Sequence, residues 1–194
     1  MKLIRPDGRV DPNGRTFKKV LSDPSAKAAI TFSFSLKGKN LLKSIEQLAT
    51  VPYDDQTGKS ITAWVAGATI GYGHLISNAE WAKYKGGIKQ TQALSIFNAD
   101  LRPYINMVKS KVTASITQNE FDALVILTFN IGQRAFTNSS VLKMVNNPSV
   151  RTIYSNLEAA WKAWNKSQGV VNRGLSNRRQ VEWKIFSKGV YREW

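Results

Sequence analysis

Two carboxylates nine positions apart, Glu46 and Asp55, are the first residues that could do chemistry. The second group is Thr69-Ile-Gly-Tyr-Gly-His74, a hydroxyl followed by two glycines and the only histidine of the chain. A pair of carboxylates at the mouth of a cleft is the minimum equipment for glycoside hydrolysis. One donates a proton to the leaving oxygen, and the other assists attack at the anomeric carbon. The two must sit in different environments, and a helix end beside a polar loop can supply that difference. By itself the pair is weak, because any basic protein carries such pairs on its surface. The glycines are equally open on their own, serving a phosphate loop, a bulge or a tight turn.

The elements that must position these residues follow from patterning. NLLKSIEQLAT, from about Asn40, reads as a short helix with Leu41, Leu42, Ile45 and Leu48 inward and Glu46 near its end. VPYDDQTGKS has turn chemistry, and ITAWVAGATIGYG is β-rich but broken by glycines, as in a small hairpin or bent sheet. Leu94, Phe97, Leu101, Tyr104, Ile105 and Val108 form one stripe of a long helix, with a kink or break expected at Pro103. Thr117 and Glu120 make a capping box with Ile116 and Phe121 as its staple, ahead of the nearly all-apolar FDALVILTFNIG. A further helical stripe runs through Val150, Ile153, Leu157, Trp161 and Trp164, and NRGLSNRRQVEWKIF is a basic amphipathic helix. On this basis residues 1–38, rich in turn signals and then alternating at Ile30, Phe32, Phe34 and Leu36, form an N-terminal appendage. Residues 39–194 form the main domain, α+β and predominantly α, with a cleft between a small sheet lobe and a helical lobe.

Composition narrows the class. The 194 residues are 42% hydrophobic, enough for a packed core, and the absence of cysteine excludes disulfides and thiolate chemistry. A single histidine argues against a zinc site. A net charge of +15 points to a polyanionic partner: nucleic acid, an anionic membrane or an envelope polymer. No apolar run approaches the about 20 residues needed to span a bilayer, and MKLIRPDGRVDPNGR is too polar for a signal peptide.

The ordered set Glu46, Tyr53 with Asp55, Gly58 and TIGYGH resembles the phage-type lysozyme family of muramidases. FDALVILTFNIG with SSVLKMVNN, and then RGLSNRRQVEWKIF, extend the resemblance over roughly residues 39–188. Some details are also similar to the wall-degrading domains of pesticin-type bacteriocins. The resemblance implies a two-lobed lysozyme-like fold with the lobes joined by a long helix. It also implies hydrolysis of the β-1,4 bond between N-acetylmuramic acid and N-acetylglucosamine in peptidoglycan, without metal or cofactor.

Residue by residue, it makes Glu46 the general acid, while Asp55 and Thr69 position water or stabilise positive charge on the sugar. Asp54 is a rival for Asp55, and the spacing from Glu46 and Gly58 favours Asp55. Tyr72 and Asn130 are the implied substrate contacts. Asn130 has three readings: a bond to Trp164, a sugar amide, or plain helix packing. His74 is expected behind the acid's helix as a support. Between Gly58 and Thr69 stand ten residues, KSITAWVAGA, where the commoner family pattern is much shorter; they are expected to lengthen the hairpin at the cleft wall. Trp64 within them is an ordinary hairpin aromatic or a sugar-stacking ring. Arg173, Arg178 and Arg179 read most simply as a solvated face, attracting envelope anions in a functional role.

The implied setting is a monomeric phage endolysin. It is made in the host cytoplasm without a signal and acts on the cell wall in the periplasm, with peptidoglycan and the anionic envelope as partners and no nucleic acid. A bacteriocin or effector domain, and a non-enzymatic cationic protein that disrupts envelopes, are the alternatives. Dye release from purified peptidoglycan separates the enzyme from the disruptor.

Overall fold

The computed structural model describes residues 32–192. The expected N-terminal turns and Ile30 lie outside them. Helix α1 spans Leu36–Glu46, earlier than the spacing predicts, because the Ser35 hydroxyl accepts from the Gly38 N–H and caps it. Phe32 packs on Phe121 and Phe34 is buried, so residues 32–38 belong to the compact unit of 32–194 and not to an appendage.

Strands β1 (Ala49–Asp54), β2 (Ala68–Gly71) and β3 (His74–Leu75) form one antiparallel sheet in that order. Its small core is Ala68, Ile70, Ile76 and Tyr84, the last from the short helix α2 (Trp81–Tyr84). The extra residues before Thr69 do not lengthen the strands. They fold back along β1, where Ser60 bridges Tyr53 and Ile61 N–H donates to the Pro52 carbonyl at 3.0 Å. The Trp64 indole donates to the Ile76 carbonyl at 2.9 Å, which pins the loop.

Helix α3, Gln90–Lys111, buries Ala93, Phe97, Leu101 and Val108 and packs on β2 and on α4 (Gln118–Ile131). Of the kink or break expected at Pro103 the break is absent, and the helix continues through it. The proline is exposed and removes one backbone donor, while the buried stripe on either side holds the helix together. Glu120 accepts from both the backbone N–H and the hydroxyl of Thr117, at 2.7 and 2.8 Å, so α4 starts where the capping box predicts. Residues Phe121–Thr128 are all buried. Among them Asp122 accepts from Ser35, Gln118 and Tyr191, tying both ends of the described chain to α4.

Helices α5 (Gln133–Asn138), α6 (Ser140–Asn146), α7 (Leu157–Lys162) and α8 (Arg173–Lys188) complete the helical lobe. The stripe expected from Val150 fails in its first half. Pro148 and local turns at Asn147 and Thr152 keep 148–156 irregular, Ile153 is 90% exposed, and Asn156 caps α7 only at its end. A two-stranded hairpin, β4 (Lys166–Ser167) and β5 (Val170–Val171), joins α7 to α8.

Candidate active site

Glu46 is the last residue of α1, and Gln47 immediately reverses the chain at φ 54°, ψ 162°. A glutamine there is strained, and the turn leaves the Glu46 side chain at the helix end. Its Oε1 accepts from Arg178 of α8 at 3.1 Å. On the other side is Gly73, at φ +84°; a Cβ there would stand 3.5 Å from Glu46 Oε2, so the TIGYGH turn closes directly over the carboxylate.

The two adjacent aspartates part company. Asp54 accepts from the Gln56 N–H at 3.0 Å and the Thr57 hydroxyl at 2.9 Å, and so builds the turn after β1. Asp55 joins the turn only through its backbone N–H, which donates to the Gly67 carbonyl, and it is exposed. Gly67, at φ +99°, is required here, since a Cβ would meet Asp55 Oδ1 at 2.2 Å. Tyr53 links the two sides. Burial pushes its hydroxyl up from the ordinary value, and the negative charges of Glu46 and then Asp55 push it further, so both carboxylates lie within electrostatic reach of one phenol. Thr69 faces Tyr53 across the β1–β2 ladder, and its hydroxyl donates to the Gly67 carbonyl at 2.9 Å. Thr69 is 4% exposed, and with that proton committed its oxygen is left as an acceptor.

Behind Glu46 lies a cluster that sequence reasoning missed. Arg178 and Arg179 are not a solvated face; they are 6% and 0% exposed. Arg178 Nε meets Glu182 at 3.1 Å, Arg179 meets the other Glu182 oxygen at 2.9 Å, and the Trp161 indole donates to that same oxygen at 3.0 Å. The signal was available as spacing, since Glu182 stands three and four residues after the arginines on one helix face. Burial pushes the Glu182 carboxyl up against the pull of Arg179, Arg178 and Trp161, and burial brings the Arg179 guanidinium down to about 10.

Three expected contacts are redirected. Asn130 accepts from Arg179 through its side-chain oxygen, not from Trp164. Tyr72, expected on the substrate, is 8% exposed with its ring against Phe97, 5.3 Å between centroids, because the turn points it into the core. His74 is held from α3: its Nδ1 lies 2.9 Å from Asp100, and its ring packs edge-on against Tyr84. The bond to Asp100 is the main reason its pKa is raised. Beside Glu46 itself stand Arg178 and the Gly73 turn. Among the described residues no three His, Cys, Asp or Glu side chains converge as metal ligands would.

A family model described as phage lysozyme matches residues 43–182. This chain belongs to the phage lysozyme family. An endolysin of Bacillus phage PZA is 36% identical over 156 residues, 80% of this chain and 55% of the relative; the chain thus spans about half that relative's length. Among solved structures, the endolysin of Escherichia coli O157:H7 phage FAHEc1 superposes with a TM-score of 0.66 at 29% identity, covering 84% of this chain and 98% of that one. The muramidase domain of SpmX from Asticaccaulis excentricus gives 0.63 at 30%, covering 80% and 98%. The mixed fold of a small antiparallel sheet and a helical lobe is that of these lysozyme-like structures.

The part of the chain matched to phage lysozyme includes Glu46, Asp55, Thr69 and the buried Arg178–Arg179–Glu182 cluster. The acid's helix end, the sheet turn and the charged face of α8 therefore all lie within the family region.

Proposed function

We propose that the chain is a peptidoglycan hydrolase, an N-acetylmuramidase that cleaves the β-1,4 bond between N-acetylmuramic acid and N-acetylglucosamine during phage lysis. The observation that carries the reading is the placement of Glu46 at a helix end, with Glu46 and the exposed Asp55 both in electrostatic reach of Tyr53. Protonated Glu46 gives its proton to the glycosidic oxygen as the C–O bond breaks. Asp55, free of the turn that occupies Asp54, stabilises the positive charge developing on the sugar or orients the attacking water. The Thr69 oxygen accepts from that water. The endolysin and muramidase names of the relatives agree with this chemistry.

In this reading the protein works as a monomer, needs no metal or cofactor, and binds peptidoglycan together with the anionic envelope around it. It is made in the host cytoplasm and acts on the wall; among the described residues no helix is long and apolar enough to cross a membrane. Dye release from purified peptidoglycan by the wild type and by Glu46→Gln tests the proposal. The wild type should release dye and the variant should not. Equal release by both would remove Glu46 from the reaction. No release by either, with lysis of intact cells retained, would favour a cationic disruptor.

A further inference from the structure

A cation beside the acid poses a problem for the chemistry just proposed. A general acid must enter the reaction protonated, and a guanidinium 3.1 Å away favours the ionised form of a carboxylate. Arg178 is nearly buried, so solvent screens its charge poorly. A second guanidinium, Arg179, lies beside it and is fully buried. Without a counter-charge, α8 would present two cations to the back of Glu46.

Resting on Glu46 as the acid, we infer that Glu182 is a positioning and charge-balancing residue of the reaction, offsetting the Arg178–Arg179 pair so that Glu46 can hold its proton at working pH. Glu182 is fully buried and takes one guanidinium on each oxygen. The third group facing it, the Trp161 indole of α7, is also a donor. All three groups are donors, and none of them offers an acceptor to a carboxyl O–H. From α4, Asn130 reaches the cluster by accepting from Arg179. On the side of Glu46, Tyr53 and Asp55 are titratable groups within electrostatic reach.

The arrangement sets two guanidiniums against one carboxylate behind the acid, and this makes a test by sign possible. Glu182→Gln removes the negative charge and should move the alkaline limb of the activity–pH profile to lower pH. Arg179→Gln removes a positive charge and should move it to higher pH. The double variant restores the original balance and should return the limb close to that of the wild type. Each single shift should be about one pH unit, the scale Coulomb's law gives for one charge separated from the acid by one guanidinium. The same purified peptidoglycan serves all four proteins, so titration of the wall itself cancels in the comparison. A purely structural role would lower the maximum rate and the melting temperature without opposed limb shifts. If Glu182→Gln does not fold, the upward shift of Arg179→Gln still decides. Coincident limbs in all folded variants, while Glu46→Gln is inactive, would overturn the inference and leave the acid assignment standing. Activity in Glu46→Gln would instead remove the reading on which it rests.

Discussion

The two walls around Glu46 hold their carboxylates in opposite ways. On the sheet side, Asp55 is exposed, its position set by a turn that Asp54 and Gly67 build. On the α8 side, Glu182 is fully buried and surrounded by donors from two helices. In the proposed reaction Asp55 answers the charge that develops on the sugar, and among the described residues no ion pair holds its side chain. Glu182 cannot reach the cleft, and its charge is already matched by arginines. The contrast separates exposure from packing: the carboxylates proposed to react stand at element ends, and Glu182 sits in the packed lobe.

Glu46→Gln should produce the largest change, lowering wall hydrolysis by about 10²- to 10⁴-fold, the usual contribution of a general acid. Turbidity clearance and a melting curve together check this; a stable variant with more than about a tenth of wild-type activity would break the assignment.

Asp55→Asn should lose most activity at unchanged stability. Asp54→Asn should keep most activity and lower the melting temperature slightly through its turn. The reverse ranking would exchange the roles given to the two residues and dissolve the contrast between the walls.

His74 sharpens the comparison from the sheet's far end. Its folded-state pKa is raised, so the stability it contributes is full below its ordinary value of 6.5 and is lost as pH rises through the raised value. The melting-temperature deficit of His74→Asn should therefore be larger at pH 5 than at pH 9. Because His74 bonds to Asp100 and not to Glu46, activity in the variant should track the fraction folded. A specific loss of turnover would restore a role for the ring behind the acid.

Thr117→Ala, remote from the cleft, should have the smallest effect, about 1 kcal/mol in denaturant unfolding, with hydrolysis unchanged. No loss of stability would mean that Glu120 alone holds the start of α4.

Residues 178 and 179 show where sequence reading stopped. Counting charges on α8 marks them as surface, and neutralising them would then only weaken attraction to walls. The structure buries both, because Glu182 at i+4 and i+3 turns that face inward toward Glu46 and Asn130. At Pro103 a local rule allowed a kink or a break, and packing kept the helix unbroken. The stretch 148–156 carried apolar residues at helical spacing, yet Pro148 and the Asn and Thr turn bonds prevailed over periodicity.

What the sequence determined by itself was local or dictated by chemistry. The capping box closes within three residues, and the β-rich stretch before His74 folds as a small sheet. Glu46 and Asp55 are the carboxylate types that glycoside hydrolysis uses, and the family region was readable from the order of its motifs. Tertiary structure alone decided which aspartate was free, which way Tyr72 and His74 turned, and what stood behind the acid. Arg178 reaches Glu46 across 132 residues, Arg179 reaches Asn130 across 49, and His74 meets Asp100 across 26. Contacts at such separations depend on which helix faces meet in the packed lobe, and neither periodicity nor charge carries that information.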